Sequence, residues 1–246
     1  MSLNSTFIPV VSSRYPSDWR FWVFIVIFAA LYFAFSSRSA KNRRTELSEV
    51  APCIGLLWLD TLPAIPLGIA FLQPGMDGGF SNVMSGSRAG CQMTIFDFEY
   101  ETGITIRTER THAQTVAAFR SEHVVLPAFQ FGPESVMRRM LTVGSTEQFK
   151  FESSLPTVHA PVGHYLLRST EQSAASNLFD PEMLEFFNGL GLQREPWFLE
   201  GNREWLVVWE HNNIVGPQNY SRFVQQTSTI AATIFGYAKL KLAASA

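Results

Sequence analysis

Seventeen consecutive residues, Phe21–Ser37, carry no charge, and Arg20 and Arg38 close the run on either side. Wound as a helix at about 1.5 Å per residue, the run covers roughly 26 Å, the short end of what crosses a hydrocarbon core. Arg20 and Arg38 can extend that span by reaching outward to headgroup level. Trp19, Trp22 and Tyr32 lie towards its ends, where amphipathic rings prefer the membrane interface. The pattern predicts a transmembrane helix over residues 19–37.

Beyond Ser37 the pattern changes from continuous to periodic. Leu47, Val50, Ile54, Leu57 and Trp58 fall near helical spacing, which predicts a helix over about Leu47–Leu59 with Pro52 marking a late start. Ala51–Leu72 is apolar and by length could also span a membrane. Asp60 and the prolines at 52, 63 and 66 argue instead for an extended segment laid against a soluble core.

A β pattern follows. Ser81–Ser85 reads as a strand, Gly86–Gly90 as a turn and Cys91–Tyr100 as a longer strand. In the last of these, Phe96, Phe98 and Tyr100 share one side and Asp97 and Glu99 the other. Ile104–Arg107, Thr115–Phe119, Val124–Phe131, Gln148–Phe151 and His164–Arg168 read as further strands, and Glu134–Leu141 as a short helix.

Asp180 is placed to cap a helix that starts at Pro181 and stops before Gly189, with Met183, Leu184, Phe186 and Phe187 as its apolar stripe. Trp197–Leu199 and Trp205–Trp209 form a hairpin around Glu200–Arg203, with Trp205, Val207 and Trp209 on one face. From Pro217 onward, Tyr220, Phe223, Val224, Thr227, Ala231, Ile234, Phe235, Ala238 and Leu242 keep a helical spacing. About seven strands in hairpin order, with helices between and after, predict an α+β fold. The expected architecture is one N-terminal transmembrane helix followed by a mainly antiparallel-sheet domain with flanking helices.

Charge orients this layout. Arg38, Lys41, Arg43 and Arg44 precede the first acid after the helix, Glu46. The positive-inside rule puts that flank in the cytoplasm. Residues 1–18 are then a short extracytoplasmic tail and residues 38–246 a cytoplasmic domain, on an inner, cytoplasmic-type membrane. The rival is a signal peptide cleaved near Ser36. The apolar run is long for that, and basic residues after a cleavage site are disfavoured.

Composition narrows the function classes. Apolar residues make up 46% and charged residues 16%, with 21 Phe and 6 Trp. So low a charged fraction points to a surface partly covered by lipid or partner protein. A net charge of −2 excludes a general nucleic-acid binder. Cys53 and Cys91 form no CxxC and read as buried free thiols in a reducing compartment.

Several strings occur in a set order: Asn82–Gly86, the FDFEY of Phe96–Tyr100, Gln114–Val116, LPAFQFGPE at Leu126–Glu134, Tyr165–Arg168 and LFDPEMLEFF at Leu178–Phe187. As an ordered set they resemble a family of bacterial single-pass membrane proteins over about Leu47 to Phe223. The resemblance implies a membrane helix followed by a cytoplasmic α+β domain. It brings no established activity and no catalytic residues.

Candidate chemistry is sparse. The five histidines are His112, His123, His159, His164 and His211. His159 and His164 are separated by Pro161 and Gly163 and do not share a helix face, so they read as loop and strand residues, not ligands. Asp97, Glu99 and Glu101 alternate on one strand and read as a solvated face rather than an acid–base pair. The Gly75–Gly79 loop lacks the Lys-Ser/Thr of a phosphate loop, and no GxSxG is present. No cofactor or metal is implied.

The basic run Arg38–Arg44 fits both topology signalling and anionic headgroups. The site residues expected are therefore those of a membrane interface: Trp19, Arg20, Trp22, Tyr32, Arg38, Lys41, Arg43 and Arg44. The function that follows is a non-catalytic accessory or structural subunit of a larger membrane complex, docked through its cytoplasmic domain and N-terminal tail. A photosynthetic or respiratory assembly fits that description, though no residue specifies one. A membrane-proximal lipid- or ligand-binding module is the alternative, and an enzyme of unrecognised type a more remote one.

Overall fold

The computed structural model describes residues 19–63, 69, 72, 78–102, 110–134, 137, 151–155, 165–189 and 197–244. Within these, the side chains at 19–20, 32–37, 102, 110, 151–155, 188–189 and 242–244 lie outside the description. The chain divides into two units, Met1–Thr45 and Glu46–Ala246.

The first unit is helical wherever it is described. Helix α1 has the bounds Trp19–Cys53 and continues past the unit boundary. It is longer than the run of residues 19–37 predicts. No Gly or Pro interrupts residues 36–51, so nothing in that stretch breaks the hydrogen-bond ladder. Among the described residues no helix is long and apolar enough to cross a membrane. The expected span includes 32–37, whose side chains lie outside the described set.

The second unit begins inside the last turns of α1. The predicted helix to Leu59 is corrected here: it stops at Cys53, and Pro52 sits in its last turn instead of at a start. Gly55 adopts φ +71, which L side chains rarely tolerate. That lets Leu56 N–H donate to Ala51 O at 2.9 Å and Gly55 N–H to Pro52 O at 3.1 Å, a Schellman stop. Leu57–Leu59 then forms strand β1. At Leu57–Leu59 the Ala51–Leu72 stretch is therefore strand, not helix; residues 64–68, 70 and 71, Pro66 among them, lie outside the described residues.

One sheet organises the unit. Its other strands are β2 (Gly78–Arg88), β3 (Cys91–Thr102), β4 (Arg110–Arg120), β5 (Leu126–Pro133) and β6 (Phe151–Leu155). Strands β7 (Tyr165–Ser169), β8 (Trp197–Arg203) and β9 (Trp205–Glu210) complete it. The order is β1-β2-β3-β4-β9-β8-β5-β7-β6, and every pairing is antiparallel. The α+β class with a mainly antiparallel sheet is as the sequence predicts.

Several boundaries differ. The first hairpin turns at Ala89-Gly90, not over Gly86–Gly90, because both residues take positive φ (53° and 73°) and match the twist of the flanking strands. The last hairpin turns at Arg203-Glu204, with Arg203 at φ +53, so Glu200–Asn202 stay in the strand. Of the strand predicted at Gln148–Phe151 only Phe151 is described, and it opens β6, Phe151–Leu155; residues 148–150 lie outside the described residues. Ile104–Arg107 and most of Glu134–Leu141 lie outside the described residues.

Helices cover one face of the sheet: α2 (Gln172–Leu178), α3 (Pro181–Gly189) and α4 (Tyr220–Ala244), the last entered through a 3-10 turn at Pro217–Asn219. They meet Met93, Ile95, Ala117, Phe119, Phe131, Leu199 and Val208 in one core cluster, which also takes in Leu47, Ala51 and Ile54. Asp180 Oδ1 accepts from the N–H groups of Glu182 and Met183, the cap the sequence predicts. The opposite face forms a second cluster from Phe96, Phe98, Tyr100, Val116, Phe198, Val207 and Trp209, with Ile69, Leu72 and Met137 against it.

Candidate functional site

The membrane-interface set falls on α1. Trp22 is exposed, as are Arg38, Lys41 and Arg44, while Arg43 is half-buried. The side chains of Trp19, Arg20 and Tyr32 lie outside the described residues. From Phe21 to Leu31 no side chain is buried. Phe24 is 70% exposed, Val26 65%, Phe28 68% and Leu31 64%. Successive residues point about 100° apart around a helix. Eleven residues in a row therefore present apolar surface at every azimuth.

In the second unit the notable feature is a ladder of rings on the second sheet face. Phe80 stacks on Phe98 at 5.0 Å between centroids, Phe98 on Tyr100 at 5.5 Å, and Tyr100 on His112 at 5.1 Å. His112 lies 5.5 Å from His211, and His211 5.9 Å from Phe198, which stacks on Trp209 at 5.6 Å. The FDFEY alternation creates the first half of this ladder. The pairing of β4 with β9 creates the second, because it places Val116 opposite Trp209 and so carries His112 towards His211.

No local sequence pattern links His112 to His211. Only the strand order brings them together. His112 Nδ1 donates to Asn212 Oδ1 at 2.7 Å, and Asn212 N–H donates to Gln114 Oε1 at 3.3 Å. His123 is exposed, and His159 and His164 lie outside the described residues.

Polar groups are buried on both faces. Asp97 is only 5% exposed, which corrects the solvated-face reading; Glu99 and Glu101 are exposed as expected. Asp97 Oδ1 accepts from Thr115 Oγ1 and Oδ2 from Asn82 Nδ2, each at 2.7 Å. Asn82 reaches it from a β-bulge, where φ is +54. Thr115 Oγ1 in turn accepts from Val215 N–H at 3.0 Å. On the second face, Gln130 Nε2 donates to Glu200 Oε2 at 3.2 Å, and Arg168 stands next to Gln130 in register.

Tyr100 and Cys91 are both held towards their protonated forms. Burial pushes the Tyr100 phenol up to about 12. Burial also raises the Cys91 thiol, against a smaller lowering by its hydrogen bond with Ser121. Cys53, expected to be buried, is exposed beside the last turn of α1, because its position faces away from Leu47 and Ala51. Among the described residues no three His, Cys, Asp or Glu side chains gather as a metal would need. The arrangement stacks the chain's own rings and buries apolar surface. Its buried carboxylates Asp97 and Glu200 are engaged by side chains of neighbouring strands.

These features define an α+β domain on an open antiparallel sheet, preceded by an apolar helix. Comparison with protein-family models gives no match, and comparison with curated proteins gives none. Among solved structures, the chain is similar to the crystal structure of the mycobacterial trehalose monomycolate transport factor A, TtfA. The identity is 15% and the TM-score 0.48, over 77% of this chain and 94% of that chain.

Proposed function

We propose that this chain is a single-pass membrane protein acting as a non-catalytic accessory subunit of a larger membrane assembly. The observation that carries the reading is the helix surface from Phe21 to Leu31, apolar at every azimuth and with no side chain buried. Water penalises such a surface, whereas a bilayer does not. The basic residues after it favour a cytoplasmic C-terminal domain, with residues 1–18 outside, in an inner, cytoplasmic-type membrane. Docking through the domain and the N-terminal tail follows from the bulky, uneven surface of the helix, which suits lipid better than a tight helix pair. The non-catalytic part rests on the buried carboxylate Asp97, whose two oxygens are both engaged by neighbouring strands.

Two measurements test the reading. Membranes carrying the full chain are washed with alkaline carbonate, and the protein is expected to stay with the lipid. It is then extracted in mild detergent and run on a native gel. Migration in a larger assembly with other chains is expected; a lone monomer would overturn the subunit role while leaving the anchor intact.

A second reading, a ligand-binding module beside the membrane, is favoured by one feature, the half-buried rings of Phe80, His112 and His211 at the accessible part of the ring ladder. Quenching of Trp209 fluorescence by an added planar or amphipathic compound would support it over the first.

A further inference from the structure

We draw no further inference here: the strongest candidate, the side-chain cluster of His112, His211 and Gln114 on the second sheet face, belongs to the ring ladder already described, where its groups are engaged by Tyr100 and Asn212, and nothing in the structure shows what else would meet it.

Discussion

The Tyr237 hydroxyl donates to Oδ2 of Asp180, which ties the chain's last long helix to the residue that starts α3. The same carboxylate oxygen accepts from Lys241 Nζ at 2.9 Å, and Lys241 also lies over the Tyr237 ring at 5.0 Å. Asp180 Oδ1 meanwhile caps α3. One side chain thus serves two helices. Replacing Asp180 by Ala removes the cap and the clasp together. The expected loss is about 1–2 kcal/mol, within the range for a capping residue. Urea unfolding checks it, as a lower midpoint with an unchanged slope. Tyr237→Phe should move the midpoint the same way but less, because the cap survives.

The clasp also sets a pH dependence. Partial burial pushes the Asp180 carboxyl up, but hydrogen bonds from Tyr237, Lys241 and the Met183 N–H, with the Lys241 charge, outweigh it and hold the group at about 2 against an ordinary 3.8. A carboxyl lowered in the folded state stabilises fully above its unfolded value, and that contribution is lost as pH falls through the folded one. The difference in urea midpoint between the unaltered chain and Asp180→Asn should therefore hold above pH 4 and narrow towards pH 2. A gap that stays constant down to pH 2 would mean that another group titrates.

Asp97 gives a sharper stability test. Its oxygens join β2, β3 and β4 through Asn82 and Thr115, and Thr115 passes the connection to Val215, ahead of α4. Asp97→Ala leaves both donors without their acceptor. A loss of about 3 kcal/mol is expected, the scale for charge-assisted bonds at a buried site. Glu99→Ala, on the exposed part of the same strand, should change stability by less than about 0.5 kcal/mol. Equal effects would mean that the buried network adds nothing.

The contrast between these two acids shows where the sequence stops being informative. Alternation along Phe96–Tyr100 is enough to say that Asp97 and Glu99 point away from the phenylalanines. It does not say what covers that side. The cover over Asp97 comes from Asn213–Val215, distant in the chain, whose N–H and C=O groups bond Thr115. His112 and His211 meet for the same reason, through a pairing of β4 with β9 that no local pattern encodes. Local signals are read well: the Asp180 cap, the stripe of α4, and the shared face of Trp205, Val207 and Trp209 all depend on near neighbours. Pro52 misleads because a proline marks a helix start or a helix end equally, and Gly55 three residues later decides for the end.

Packing supplies another prediction. Gly201 is buried opposite Phe129 in register, and a β-carbon there would run into the edge of the Phe129 ring. That ring is itself held edge-on to Phe179 at 4.9 Å and has no open side. Gly201→Ala is expected to cost about 1–3 kcal/mol through overpacking. Adding Phe129→Leu should recover part of the loss, since the shorter side chain clears the new methyl. If Gly201→Ala alone leaves the urea midpoint unchanged, the two strands have slack that the geometry does not show.

The apolar stretch of α1 bears on how the chain would join a partner. Phe21, Phe24, Phe28 and Leu31 are large and exposed, while the small residues are Ala29, Ala30 and Ala34. Ala30 and Ala34 have small-xxx-small spacing but no glycine to let two backbones close, so a tight helix pair is disfavoured. If docking resides in the domain and the N-terminal tail, residues 21–37 are interchangeable with any helix of equal length and apolarity. Exchange for a poly-Leu/Ala segment should therefore leave carbonate resistance and co-migration with partner chains unchanged on a native gel. Normal insertion combined with loss of the chain from the assembly would make the helix itself the recognition element. In that event, restoring Phe24 and Phe28 in the exchanged segment should bring assembly back, because these two are the most exposed rings described on it.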